Sequence, residues 1–315
     1  MKYLFVLLLF VAGAGMAQED SLPYIKVLGV AQDGGYPHAG CAKACCEQAW
    51  KDAGMRRFVT SLALVDPASD KWWLFEATPD ITEQLHYFRQ LTGGRYRYLP
   101  DGIFITHAHI GHYAGLMQLG REVMNTKDMP VYVLPRMKTY LENNGPWSQL
   151  VSLNNIRLTA LQVAGKDMKS GFMGQTLADG ILVSAFQVPH RDEFSETAGF
   201  HISLRSRQYL FIPDIDKWEK WDNSIIDMVA AVDVALLDAT FFADGELPGR
   251  SISEVPHPFV SETMHLFSTH TARPGLDSRI HFIHFNHTNP LLRDPKARKE
   301  VTKQGFHLAE QGEDL

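Results

Sequence analysis

The stretch FITHAHIGHYAGL, residues 104–116, decides how this chain is read. An apolar run, GIFIT (102–106), leads straight into the histidine cluster. Alternate side chains of an extended strand point the same way, so His107 and His109 face one direction. His112 comes three residues later, on the first turn of the helix predicted over GHYAGLMQLGREVM (111–124), one turn from His109. Three imidazoles converging at a strand-to-helix junction suit a borderline metal such as zinc, with nitrogen ligands roughly 2.0–2.1 Å from the ion. Three unrelated surface histidines are the competing reading.

Outward from this point, apolar runs rich in β-branched residues recur: YIKVLGVA (24–31), VTSLALV (59–65), WWLFEA (72–77), VYVL (131–134), GILVSAFQV (180–188), AGFHISL (198–204), YLFIPD (209–214), VALLDAT (234–240) and IHFIHF (280–285). Helical periodicity marks DITEQLHYFRQL and LPRMKTYLENN as well. Strands outnumber helices and often follow one another directly, which favours an α+β arrangement of two sheets with helices outside over a doubly wound parallel sheet. Five polar clusters stand at strand ends: THAHIGH, VPHRDE, IPDID, EVPHP and IHFNHTNP. A rigid scaffold builds a site by collecting ligands in this way from the ends of several strands.

With 315 residues and 45% hydrophobic content, the chain can bury a sizeable core. No linker, low-complexity tract or solenoid repeat divides it, so residues 22–315 read as a single domain. Met1–Ala17 reads as a bacterial secretory signal: Lys2 supplies a basic start, YLFVLLLFVAGA an apolar run and GMA small residues for cleavage. The run is short for a membrane span, and a periplasmic protein without stable membrane insertion is the expectation. Loss of Lys2 with that segment takes the formal net charge from -6 to -7, which disfavours nucleic acid as a partner because phosphate binding needs clustered Lys and Arg. Cys41, Cys45 and Cys46 are the three cysteines. In an oxidising compartment they read as one disulfide and a leftover thiol, and an odd thiol there asks for a further explanation.

THAHIGH resembles the His-x-His-x-Asp-His signature of the metallo-β-lactamase superfamily, and the other four clusters match that superfamily in order over nearly the whole chain after the leader. The resemblance implies a four-layer αβ/βα sandwich, two mixed β-sheets with helices on the outer faces and metal at their shared edge. IKVLGVAQDGGYPHAGC (25–41) and IHFNHTNP (283–290) further resemble the branch that contains coenzyme PQQ synthesis protein B and the cyclic phosphodiesterases of phosphonate metabolism.

Carried over residue by residue, the resemblance makes His107, His109 and His190 ligands of a first metal, Asp214 the carboxylate bridging two metals, and His112 and His284 ligands of a second. Without it, His190 reads as a loop histidine and Asp214 as an acid capping a turn. Gly111 departs from the pattern, because relatives carry there an aspartate that helps hold the second metal. The expectation is one tight zinc and a weaker second site able to hold Zn, Mn or Fe, with Asp192 as a substitute carboxylate. Glu76 or Asp80 would steady a ligating histidine or cap the following helix.

The phosphodiesterase relatives also imply a structural zinc on Cys41, Cys45, Cys46 and His287, a closed Cys3His site that leaves no spare thiol; a Cys41 disulfide is the alternative. LLDATFFADGE followed by EVPHPFVSET matches a segment in which a histidine protonates the leaving oxygen, here His257 with Asp238 to orient it. Otherwise His257 is a loop histidine between two prolines. The implied activity is hydrolysis of a small-molecule phosphodiester or other small ester by a metal-bound water, with Asp214 and His257 as catalytic residues. The alternative implied by the PQQ branch is an iron-dependent oxidative step.

Overall fold

Leu62 and Leu64 of strand β2 (Ser61–Asp66) face one way and Ala63 and Val65 the other, yet all four are inaccessible to solvent. Strand β3 (Lys71–Phe75) repeats the pattern, with Trp73 and Phe75 on one side and Trp72 and Leu74 on the other. A strand apolar on both faces must be covered on both faces, and here a second sheet covers one and helices the other. The computed structural model describes residues 22–163, 174–247, 255–270 and 272–315, so the Met1–Ala17 segment read as a leader lies outside the described residues.

The first sheet has the order β1-β2-β3-β4-β5-β6, with β1 (Tyr24–Gly29), β4 (Ile103–Phe104), β5 (Met129–Val133) and β6 (Ile156–Ala160) joining the two strands above. Pairing is antiparallel from β1 to β3 and parallel from β3 to β6. The second sheet has the order β13-β12-β11-β10-β9-β8-β7 and comprises β7 (Gln175–Ala178), β8 (Ile181–Val188), β9 (Thr197–Ser203), β10 (Gln208–Ile212), β11 (Val234–Asp238), β12 (Ile280–Ile283) and β13 (His307–Leu308). Its β7–β10 part is antiparallel and its β10–β13 part parallel. Both sheets are therefore mixed, as the resemblance implied.

Between the sheets, Phe75 and Phe104 stack at 4.9 Å and meet Phe200 of β9 edge-on at 5.4 and 5.7 Å. Edge-to-face pairs of this kind add to the area the rings bury. The α-helices of the described residues are α1 (Ala44–Lys51), α2 (Ile81–Leu91), α3 (Ile110–Tyr113), α4 (Pro135–Asn143), α5 (Trp147–Ser152), α6 (Ile225–Ala230), α7 (Val260–Ser268) and α8 (Pro295–Lys303). Leu85 and Phe88 of α2, Met137 and Leu141 of α4 and Leu150 of α5 bury the outer face of the first sheet with Trp72 and Leu74. Met228, Val229, Met264, Phe267 and Val301 bury against the second. No described helix is long and apolar enough to cross a membrane.

Every strand expected from the sequence is present, and β6, β7 and β13 are additional, being too short or too exposed for their apolar pattern to stand out. The long helix expected over 111–124 is not formed. A single α turn, α3, gives way to a 3-10 stretch over Ala114–Leu119. The cause is a diversion of hydrogen bonds: Ala77 N–H donates to the His112 carbonyl (2.9 Å), and Gly115 N–H donates to the Ala77 carbonyl (2.8 Å). Backbone groups that would continue the helix are thus spent on docking His112 against the end of β3. A β-carbon on Gly115 would lie 2.1 Å from the Thr78 carbonyl oxygen, so only glycine permits the approach.

The cross-sheet aromatic contact generates the first prediction. Phe75→Ala is expected to lower stability by about 3–5 kcal/mol in urea denaturation at constant metal, whereas Val123→Ala, at a position 62% exposed, should change it by no more than about 0.5 kcal/mol.

Candidate metal centre

The C-terminal ends of β4, β8, β10, β11 and β12 meet at one edge of the sandwich, where polar groups cannot pair into a sheet ladder and are free to face a ligand. His107 and His109 follow β4, His190 follows β8, Asp214 follows β10, Asp238 ends β11 and His284 follows β12. His112 is carried in by α3. Backbone bonds lock the edge: Ala198 N–H donates to the Thr106 carbonyl (3.0 Å), joining the sheets beside the site. Glu196 accepts from the Arg136 and Met137 amides (2.8 and 3.2 Å), tying the loop of His190 to the start of α4.

His107, His109, His190 and Asp214 bring one donor atom each within 4.8 Å of one another. The Asp214 Oδ2 lies 3.4 Å from His107 Nε2 and 3.3 Å from His190 Nε2, and His190 Nε2 lies 3.3 Å from His109 Nδ1. Four donors on a tetrahedron roughly 2.0–2.1 Å in radius stand about 3.3–3.4 Å apart, so the spacing fits a first-row cation such as zinc. A second group joins His112 and His284 with Asp33, and Asp214 reaches both groups, with Oδ2 at 3.7 Å from His112 Nε2. His112 Nε2, His284 Nε2, His107 Nε2 and Asp33 Oδ1 are buried without a hydrogen-bond partner. Orphaned polar atoms this deep carry a desolvation cost that a shared cation removes.

Each imidazole is held from behind by its other nitrogen. His107 Nδ1 meets the Thr106 hydroxyl at 2.9 Å, His109 Nε2 meets Glu193 Oε2 at 3.0 Å, and His190 Nδ1 meets Asp216 Oδ1 at 3.2 Å. His284 Nδ1 meets the Thr240 hydroxyl at 3.0 Å, and that hydroxyl donates onward to Asp238 at 2.7 Å. His112 Nδ1 lies 3.6 Å from Glu76 Oε2. Such outward partners fix ring orientation and tautomer and turn the other nitrogen's lone pair to the centre. Glu76 and His284 also adopt left-handed backbone conformations (φ 71° and 68°). For residues of this kind that conformation costs about 1–3 kcal/mol and persists where the surroundings over-determine it.

Burial lowers the pKa values of His107, His109 and His284, leaving them neutral and able to donate a lone pair. At His112 burial is outweighed by Glu76 and Asp33, and its pKa rises well above the ordinary value. His190 likewise rises, against burial, to about 9 through Asp214 and Asp216. Asp214, though buried, is held well below the usual carboxylate range by His190 and His257. A cation held here would displace the protons of His112 and His190, so its affinity would fall with acid.

His257 Nδ1 stands 2.9 Å from Asp238 Oδ2 and 3.2 Å from Asp214 Oδ1. Burial alone would strip its proton, but the two carboxylates more than offset this and push its pKa up to about 10. Away from this edge, Cys41, Cys45, Cys46 and His287 form another cluster. Cys41 and Cys45 sulfurs are 3.7 Å apart, and His287 Nδ1 lies 3.5 Å from the Cys45 sulfur and 3.4 Å from that of Cys46. No disulfide is formed. These spacings match a tetrahedron with sulfurs roughly 2.3 Å and a nitrogen roughly 2.0–2.1 Å from its centre.

The structure thus gathers His107, His109, His112, His190, Asp214 and His284 at one edge with His257 beside them, and Cys41, Cys45, Cys46 and His287 at another point. Asp192 does not serve as a substitute ligand: its carboxylate accepts from the Thr197 hydroxyl (3.4 Å) and faces Arg136. Asp80 instead accepts from the Val59 amide (2.8 Å), leaving Glu76 as the acid behind a histidine. Asp33 was not singled out from the sequence, although it occupies the same strand-end context, in AQDGG after β1, as the clusters that were. Glu193 and Asp216 stood within quoted clusters without an assigned role.

A family model described as the beta-lactamase superfamily domain matches residues 71–309. Coenzyme PQQ synthesis protein B of Gluconobacter oxydans (strain 621H) is 25% identical over 329 residues, covering 91% of this chain and 96% of its own. Among solved structures, zinc-bound PqqB from Methylobacterium extorquens aligns with a TM-score of 0.72 at 21% identity, over 93% of this chain and 99% of that one. A diphosphatase of the PhnP family aligns with a TM-score of 0.61 at 19% identity, over 93% and 96%. These structural likenesses establish a shared fold.

The thiol cluster makes a countable prediction. A Cys41→Ser/Cys46→Ser variant is expected to carry one zinc fewer per chain than wild type, by mass spectrometry of protein purified without chelators. An unchanged count would show that these thiols hold no metal.

Proposed function

The chain belongs to the beta-lactamase superfamily, and on that premise we propose that it is a metal-dependent hydrolase acting on a small phosphodiester or other small ester. The observation that carries this reading is the His257–Asp238 pair set against Asp214 at the metal-fitting edge. In the same reading zinc occupies the His107, His109, His190 and Asp214 position and the Cys3His cluster, while the His112 and His284 position takes Zn, Mn or Fe. At the histidine and Asp214 edge, metal would supply Lewis acidity toward the ester and lower the pKa of water.

The chain's own residues do the rest. Asp214, wedged among four imidazoles, orients the attacking water and accepts its hydrogen bond. His257 gives a proton to the departing oxygen, and Asp238 holds the ring and stabilises its charged form. Ile110 and Phe194, 61% and 57% exposed, follow His109 and Glu193 and offer apolar contact to the organic part of a substrate. The first seventeen residues support export to a bacterial periplasm, and with the acidic balance they favour a small-molecule substrate over RNA.

A second reading draws on the similarity to PQQ synthesis protein B over nearly the whole chain. Imidazole and carboxylate donors accept iron as well as zinc, and an iron-dependent oxidation would use the same edge.

Two assays separate these readings. Hydrolysis predicts turnover of bis-p-nitrophenyl phosphate with Zn or Mn, lost in His109→Ala. His257→Ala should cost about 10²–10⁴-fold on a phosphodiester with an alkoxide leaving group, and far less on the nitrophenyl ester, whose leaving group needs no proton. Equal losses on both substrates would remove His257 as the acid. The oxidative reading requires oxygen consumption by the iron-loaded protein on a peptide-derived substrate, with no phosphodiester cleavage.

A further inference from the structure

Gly111 stands where the superfamily signature has an acid, and its backbone does not require glycine: its φ is negative, an ordinary helical conformation open to any residue. Space does require it. A β-carbon on Gly111 would lie 2.1 Å from Asp33 Oδ1, 2.6 Å from Asp33 Cα and 2.9 Å from Asp33 Cγ. The volume an aspartate at 111 would fill is already filled by the carboxylate and α-carbon of another aspartate, from a segment 78 residues earlier in the chain.

Asp33 is also aimed. Its Oδ1 lies 3.4 Å from His112 Nε2 and has no hydrogen-bond partner, while its Oδ2 accepts from Gln32 Nε2 (3.1 Å). Asp33, His112 and His284 bring donor atoms within 4.8 Å of one another, and the Nε2 atoms of both histidines are buried and unpartnered. The loop is pinned where it must be. Phe285, next to His284, donates to the Val30 carbonyl (2.8 Å) and accepts from the Gln32 amide (2.9 Å), and Gly35 N–H closes a turn onto the Gln32 carbonyl (2.8 Å).

We propose that Asp33 is the carboxylate ligand of the second metal and that Gly111 is the vacancy that admits it, the two forming one exchanged pair. The inference rests on the reading of this edge as a two-metal centre. It replaces the expectation of a weakened second site, since the missing carboxylate is supplied from β1's loop and the second position has Asp33, His112, His284 and the shared Asp214 around it.

The test uses the full chain stripped of metal and dialysed against buffered free zinc, with zinc per chain counted by mass spectrometry and melting temperature recorded alongside. Wild type should hold two zinc ions beyond the one on the thiol cluster. Asp33→Asn, nearly identical in size, should lose one of the two through a drop of about 100-fold or more in its affinity, since even supporting residues behind a metal ligand are worth 10–100-fold. Gly111→Ala, whose added methyl would meet Asp33 Oδ1 at 2.1 Å and Asp33 Cα at 2.6 Å, should melt lower than wild type and lose the same zinc ion. Loss of one ion in the near-isosteric Asp33→Asn, with little change in the melting temperature of the metal-free chain, is a result a purely structural aspartate would not produce. If Asp33→Asn binds zinc as wild type does, or Gly111→Ala keeps both ions at the wild-type melting temperature, the assignment of Asp33 is refuted while the two-metal reading stands. If wild type holds fewer than two zinc ions beyond the thiol site, the two-metal reading falls and the exchange falls with it.

Discussion

Asp214 is a carboxylate buried to 2% exposure with four imidazoles within 3.7 Å of its oxygens. An ionised acid in that position is stable only if positive charge surrounds it, and a ring of imidazoles supplies such charge through protons or through a shared cation. Everything else at this edge of the sandwich serves that arrangement. All five strand ends that meet there deliver a donor or a supporting acid: His107 and His109 after β4, His190 after β8, Asp214 itself after β10, Asp238 on β11 and His284 after β12.

Convergence of this kind requires two sheets whose strand ends meet at one edge, and the backbone enforces it. Thr106 ties to Ala198 across the sheets, Ala77 to His112 and Gly115, and Phe285 to Val30 and Gln32. The helix that His112 would otherwise begin is cut short to make one of these ties. The left-handed Glu76 and His284 show that local backbone preference yields to the site at two of its corners. Behind the imidazoles, Thr106, Glu193, Asp216 and Thr240 make the histidine orientations a property of the scaffold.

The thiol cluster belongs to the same construction. The segment from Val30 to Cys46 is stitched to the end of β12 at two places, by Gln32 and Val30 to Phe285 and by the three cysteines against His287. His284 and His287 are three residues apart, so one stretch of chain serves both clusters. A structural metal on the thiols would hold the loop of Asp33 at the edge without adding to the hydrophobic core.

Much of this was legible in the sequence, because its signals are local. Apolar runs ending in histidines and acids mark strands that terminate at a site, and alternation within THAHIGH already places His107 and His109 on one side. Resemblance in the order of the clusters carried the sandwich and pointed to the histidines, Asp214, His257 and the Cys41, Cys45, Cys46 and His287 set that the structure brings together. What only the tertiary structure decided is how distant segments share space. Nothing near Gly111 in sequence says that Asp33 fills its volume, that Asp192 turns to Thr197 and Arg136, or that the helix after His112 surrenders its hydrogen bonds to Ala77. The physical reason is the same in each case: these outcomes depend on excluded volume and hydrogen-bond competition between residues tens of positions apart, and a pattern read along the chain contains neither.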